Sequence, residues 1–298
     1  MGLPSSTNFR LKPEATPKDG VGNNKALVRR PLSTPYVHIA CALLAALGAT
    51  GIASAQPPSA APAQGYKETI NGTVVSFEMV PVPGGSVTVG GTAAKVEPFL
   101  IGRTEVTWDM YDLFSEGGDA RGNTSSDAAT RPSHPYGAPD YGWGHAGYPA
   151  ISVTRQAAEA FCAWLSAKTG KTYRLPTEAE WARAAELAAG KDSTSVSREA
   201  ITWHRGNATA TTHPVAARKA DALGLFDLFG NAAEWVTTAD NSRVTRGGSF
   251  RDPLENTGPE ARAEQDPSWN ERDPQLPKSR WWLSDGPFVG FRVVATGK

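Results

Sequence analysis

The chain of 298 residues is 40% hydrophobic and 20% charged, enough for one sizeable domain with its own core or two small ones. Thirty glycines, 23 prolines and nine tryptophans point away from a helical bundle and toward a loop-rich fold with sparse regular structure. Thirty Lys and Arg balance 30 Asp and Glu, and no basic cluster interleaves with aromatics, which gives no electrostatic footprint for nucleic acid.

The first 55 residues read as a targeting segment: Arg29 and Arg30 precede an apolar stretch from Val37 to Ala53, with small residues at Ala53 and Ala55 before Gln56. That pattern predicts a secretory signal and an exported, periplasmic or secreted protein. The alternative is an uncleaved membrane anchor, since the stretch is near the lower length for spanning. The segment holds six of the 30 basic and two of the 30 acidic residues, leaving 24 against 28 in a mildly acidic mature chain. Of two cysteines, Cys41 falls in the segment, so Cys162 remains alone and no internal disulfide forms.

Residues 56–65, QPPSAAPAQG, have the composition of a Pro/Ala linker, and the domain is expected over 66–298. Two branched runs about VPGGS in GTVVSFEMVPVPGGSVTVGG predict a hairpin, and VEPFLIGRTEV a third strand. Thr107 is the expected cap of a short helix, WDMYDLF, with Asp109 in the first turn, where the helix dipole favours negative charge. From Glu116 to Ala150 the chain is rich in glycine and proline and lacks periodicity. This long loop carries aromatics, Tyr141 among them, that either line a groove or cover the core.

Two helices follow. Thr154 caps RQAAEAFCAWLSAKT, whose Ala157, Phe161 and Leu165 form one stripe with Cys162 beside it, and Gly170 ends it; Cys162 reads as a core thiol. In RLPTEAEWARAAELAAG, Thr177 and Glu180 form a capping box, and Glu178 and Glu180 sit where the helix dipole places carboxylates, which makes both structural. His134, His145, His204 and His213 are scattered over loop-like sequence, open to convergence on a metal or to exposure and backbone bonding. In GLFDLFGNAAEW, Asp227 and Glu234 are hard oxygen donors about a glycine turn, a calcium-like arrangement or two solvated charges. Beyond VTRGGSF, the density of Arg262, Arg272, Arg280, Trp269, Trp281 and Trp282 fits a recognition surface or a tryptophan cover on the core.

Taken together, VPGGSVTVG, GRTEVTWDMYDLF, YPAISVTRQAAEAFCAWL, YRLPTEAEWARAA, GLFDLFGNAAEW, VTRGGSF and FVGFRVV run in the order of one family. From about Val74 to Val294 the chain resembles the formylglycine-generating enzymes, or sulfatase-modifying factor domains. The resemblance implies an α+β fold, a single compact C-type-lectin-like domain with little regular structure, and bound structural calcium. Carried across, the calcium ligands are Asp227 and Glu234 by side chain and Gly230 and Ala232 by carbonyl. A second site would begin at Asn207 and Ala208, but ATATTHPVAARK supplies no acidic partner.

Family enzymes that make formylglycine bind copper through two cysteines after the GGS turn. Here Ser249 matches an active-site serine, while Asp252 and Thr257 stand at the thiolate positions, hard donors unsuited to monovalent copper. With the thiolates replaced, the expectation is a domain that binds a peptide, glycan or protein, through Trp269, Arg272, Arg280 and Trp281 of the Arg- and Trp-rich segment and Tyr141 of the long loop. The alternative is an active enzyme, maturing sulfatases or performing another oxidation as in the pyoverdine-maturation relatives, with Ser249 and Asp252 as its catalytic groups.

Overall fold

The computed structural model describes residues 64–117, 132, 135, 137–190 and 195–296. The expected signal, Cys41, most of the expected linker and His134 lie outside these residues. Among the described residues no helix is long and apolar enough to cross a membrane.

Eleven short strands and four helices are described: β1 Tyr66–Thr69, β2 Ser76–Val82, β3 Gly85–Val89, β4 Thr92–Val96, β5 Phe99–Gly102, α1 Trp108–Ser115, α2 Arg155–Thr169, β6 Tyr173–Arg174, α3 Glu178–Ala189, α4 Ser195–Ile201, β7 Ala233–Val236, β8 Val244–Gly247, β9 Gly258–Glu264, β10 Val289–Gly290 and β11 Val294–Thr296. One antiparallel sheet runs β1-β2-β5-β11-β6, so the C-terminal strand enters between β5 and β6. A second runs β10-β7-β8-β9, with β10 parallel to β7, and β3-β4 is a separate ribbon. The mixed helix-and-sheet class with short elements is as expected.

The expected hairpin of β2 with β3 is not formed. β2 pairs with β1 and β5, and β3 with β4. Two prolines, Pro81 and Pro83, remove ladder donors at the junction, and Gly84 and Gly85 let the chain leave the sheet. A Cβ on Gly84 would meet the Val96 carbonyl at 2.7 Å, so the backbones approach there too closely for any side chain. The third strand is confined to β5 by Pro98 before it.

The helix ends follow their caps. The Thr154 hydroxyl accepts from the Ala157 amide at 3.1 Å, Gly170 closes α2 at φ +73°, and Thr177 and Glu180 complete a capping box on α3. Thr107 departs from expectation: its side chain makes no cap bond, and it instead bridges to Pro149. Asp109 in the first turn of α1 accepts from the Gly147 amide at 2.7 Å, which ties the long loop to the helix.

Two apolar clusters flank the first sheet. One gathers α1 and α2 with Trp282, Phe291 and Cys162; the other packs α3 against Phe99, Phe229 and Val294. Burial pushes the Cys162 thiol up, in keeping with a core role.

Candidate functional site

The turn after β8 needs its glycines. Gly247 at φ +90° has the Leu228 carbonyl 2.6 Å from where a Cβ would stand, and Gly248 at φ +71° has the Asn256 carbonyl at 2.8 Å. The chain then folds back so that the Ser249 amide and hydroxyl both donate to Asp252 Oδ2, at 2.8 and 2.9 Å. The Ser249 hydroxyl accepts in turn from the Arg251 amide at 3.2 Å. Ser249 is buried, and its hydroxyl is used as both donor and acceptor. Thr257 donates its hydroxyl to the Leu254 carbonyl at 2.8 Å and is buried as well. Both Asp252 and Thr257, at the positions where the resemblance implies thiolates, thus serve the turn itself.

The turn borders a groove of about 540 Å³ on one face of the second sheet. Side chains alternate across strands, so Thr245, opposite Ala263, shares its face with Ala261 and with Ala233 on β7. These small residues leave a shallow floor. The walls are Ser249, Arg251, Asp252, Glu255 and Phe288. The Arg251 guanidinium lies 4.6 Å from the Phe288 ring centre, a cation–π contact. No ion pair reaches it among the described residues.

The opposite face carries charge. Arg246 and Arg262 both donate to Glu178 Oε1 at 2.9 Å, so Glu178 is an ion-pair hub between α3 and the sheet. Deeper, Arg292 donates to Glu234 Oε1 at 2.6 Å and to the Gly102 and Phe226 carbonyls, while the Trp181 indole donates to Glu234 Oε2 at 2.8 Å. Glu105 accepts from Asn231 Nδ2 and the Ala232 amide at 2.8 and 2.9 Å. Asp227 accepts from the Ala216 amide through Oδ2, whereas its Oδ1 is buried without a hydrogen-bond partner. Burial raises the Asp227 carboxyl to about 6, against the Ala216 amide and the Arg292 charge. Burial, with the charges of Asp227 and Glu234, holds Glu105 well above the ordinary range. Three buried carboxylates therefore surround one guanidinium, and protons or a cation must make up the difference.

This layer tests the calcium expectation. Asp227 fits a hard cation, offering a buried, unpartnered oxygen in a site with excess negative charge. Gly230 and Ala232 lie in the same turn. Glu234 fits only through lone pairs left beside its bonds to Arg292 and Trp181. No group of three or more His, Cys, Asp or Glu placed to hold a metal occurs among the described residues.

The second expected site does not fit. Asn207 Oδ1 accepts from the His204 amide and its Nδ2 donates to Glu199 and the Thr202 carbonyl. The Ala208 carbonyl accepts from the Thr211 amide and from His213 Nε2. The Asn207 oxygen and the Ala208 carbonyl are used within their own turn, and the one carboxylate beside them, Glu199, is engaged by Asn207 Nδ2 and by His204.

Of the expected recognition residues, Trp281 is a correction: it is 3% exposed and packs on Phe114 in the core. Large rings stabilise most when buried, and here the aromatic density serves the fold. Trp269 is partly buried between Trp235 and Phe288. Tyr141 stacks on Trp143 and donates to the Ser284 carbonyl at 2.9 Å; with Arg272 it lines a separate cavity of about 350 Å³. Arg280 lies in a third groove. The described histidines do not converge: His145 bridges Asp112 and Asp140, His204 meets Glu199, and His213 stacks on Trp203.

Glu105 and Arg292 match no ligand or catalytic motif in the sequence. For Arg292, a lone charge inside an apolar run between Phe291 and Val293 is the signal for a buried ion that needs a partner; Glu105, in the polar stretch RTEVT, carries no such signal.

The family described as Sulfatase-modifying factor enzyme 1-like domain matches residues 69–296. No curated protein matches the chain. Treponema denticola variable protein 1 is similar in structure at 22% identity and TM-score 0.56, over 78% of this chain and 99% of that one. PvdO from Pseudomonas aeruginosa matches at 26% identity and TM-score 0.53, over 74% and 94%. CarF matches at 24% and TM-score 0.51, over 73% and 97%.

Proposed function

This chain belongs to the sulfatase-modifying factor enzyme 1-like family, and from that premise we propose that it is an exported binding domain without copper-dependent oxidation of cysteine to formylglycine. The observation that carries the reading is the closed Ser249–Asp252 turn. A thiolate pair would present soft ligands here, but the chain has a carboxylate that accepts two bonds from Ser249 and a threonine hydroxyl turned to its own backbone. The adjacent groove remains as a concave surface of small residues walled by charge, suited to a peptide, glycan or protein ligand. Its mixed walls, with Arg251 unpaired, provide orientation; the cavity by Tyr141 and Arg272 extends the same role.

Calcium is a structural ion in this reading, held on Asp227 with the Gly230 and Ala232 carbonyls and Glu234. It would supply the positive charge that the three buried carboxylates lack, and no chemistry.

A second reading takes the 2.9 Å Ser249–Asp252 contact as a hydroxyl and its base at the groove edge, an enzyme of another kind. The burial of Ser249 and the double use of its hydroxyl favour the binding role.

The test incubates purified protein with copper, oxygen and a cysteine-containing sulfatase peptide and measures aldehyde. No aldehyde is expected; its formation would overturn the reading.

A further inference from the structure

The third groove, about 620 Å³, lies at the start of α2 and on the segment after β9. Its charged lining is Arg155, Arg243, Lys278 and Arg280 against one acid, Glu271. Arg155 is committed: its Nε holds Glu159 at 2.8 Å and its other donors hold Asn241 and the Ser242 carbonyl. The other three cations have no carboxylate partner among the described residues. Lys278 donates to the Glu271 and Asp273 carbonyls at 2.7 and 2.5 Å, which fixes the ammonium but leaves its charge. The Arg280 guanidinium sits 5.1 Å from the Trp281 ring centre, and Gln156, with its amide oxygen turned toward it, accepts from Nε at 3.0 Å. Arg243 is exposed on the rim.

Such an excess is unexpected on a chain whose mature part is net acidic, 24 basic against 28 acidic residues. Three cations facing a single acid, Glu271, repel one another, a cost that an anionic ligand removes. We propose that this groove binds an acidic peptide segment of a partner protein, its carboxylates seated on Arg243, Lys278 and Arg280. The guanidinium fork matches a carboxylate with two parallel bonds, which favours carboxylates over a diffuse cloud of counterions. Gln156, Gln265 and Asn270 add amide donors and acceptors of the kind a peptide backbone needs, and Leu283 and Pro267 give the floor an apolar strip. The inference deepens the binding role proposed above by naming one ligand class at a different groove. It fails or stands on groove variants, whereas that reading fails on aldehyde formation.

The test titrates a fluorescein-labelled glutamate hexapeptide into purified protein and follows anisotropy, with a glutamine hexapeptide as control. The glutamate peptide should bind and weaken as salt rises from about 50 mM to about 300 mM, since screening shortens the reach of each charge. Arg243→Glu and Arg280→Glu should each weaken it about tenfold or more, and Lys95→Glu, a remote exposed position, should leave it unchanged. Both variants alter exposed side chains, and unchanged melting temperatures confirm their fold. Equal binding of the two peptides, or indifference to both reversals, would overturn the proposal. So would a heparin hexasaccharide that binds more tightly than the glutamate peptide and depends on the same arginines, which would assign the groove to a glycan.

Discussion

Asp252 holds Ser249 by two bonds to a single carboxylate oxygen, Oδ2, at 2.8 Å from the amide and 2.9 Å from the hydroxyl. The pair makes the turn after β8 a closed unit. Asp252→Ala would leave the buried Ser249 amide and hydroxyl without an acceptor and should cost about 1–2 kcal/mol in denaturant unfolding. Asp252→Asn, which keeps an acceptor oxygen, should cost less.

Gly247→Ala should be far more damaging. The position has φ +90°, and the new Cβ would stand 2.6 Å from the Leu228 carbonyl, a backbone atom with no rotamer to yield. Strain and clash together should remove about 2–4 kcal/mol, read as a large drop in melting temperature. A loss under about 0.5 kcal/mol would mean that the turn can rearrange.

Arg292→Leu tests the buried layer. It would strand Glu234 with only the Trp181 indole and free the Gly102 and Phe226 carbonyls, at a cost of about 3–5 kcal/mol. Trp181 fluorescence should report the change, because its indole bonds to the stranded carboxylate.

Asp227 sets a pH dependence opposite in sign to that of an ordinary paired carboxylate. Its folded carboxyl is raised to about 6 from an ordinary 3.8, so the folded state holds the proton more tightly than the unfolded chain. Stability from this group is present below the unfolded value and is lost as pH rises through about 6. Calcium on Asp227 would replace the proton and restore that stability above pH 6 or so. Adding calcium at neutral pH should raise the melting temperature, chelation should lower it, and Asp227→Asn should abolish both responses. An unchanged melting temperature would remove calcium from this site.

His145 is the second titrating element. Both ring nitrogens meet carboxylates, Asp112 at 2.7 Å and Asp140 at 2.8 Å, and the ring stacks on Trp108. Burial works against its charge, but the bonds and charges of the two aspartates prevail and raise its pKa above the ordinary 6.5. This contribution is complete below the unfolded value and is lost as pH rises through the folded one. Hydrogen exchange at Gly142 and Gly147 should therefore quicken beyond the intrinsic rate as pH rises through the folded His145 value, above that of a free imidazole, and His145→Gln should remove the step.

The sequence displayed those features whose causes are local. Thr154, Gly170, Thr177 and Glu180 announced α2 and α3 because caps act within four residues, and GGS announced its turn because positive φ is a property of single positions. The β2–β3 hairpin failed because pairing was decided by Pro81, Pro83 and a close approach to Val96, far from any local propensity. Trp281 looked like a recognition residue because composition does not tell which face of a segment is turned inward. The layer of Glu105, Asp227, Glu234 and Arg292 was only half visible, since Asp227 and Glu234 share one motif while Glu105 and Arg292 come from two distant segments and meet them only through the packing of the sheets.

Asp252 and Thr257 are hard donors, and in the proposed function they do not hold copper where thiolates would. Anaerobic titration of the purified protein with Cu(I), against a chromogenic chelator, measures this most directly. The chelator should keep the metal, and Asp252→Ala should change nothing in the titration. Stoichiometric Cu(I) taken from the chelator by the wild-type chain and lost on Asp252→Ala would contradict the proposed function.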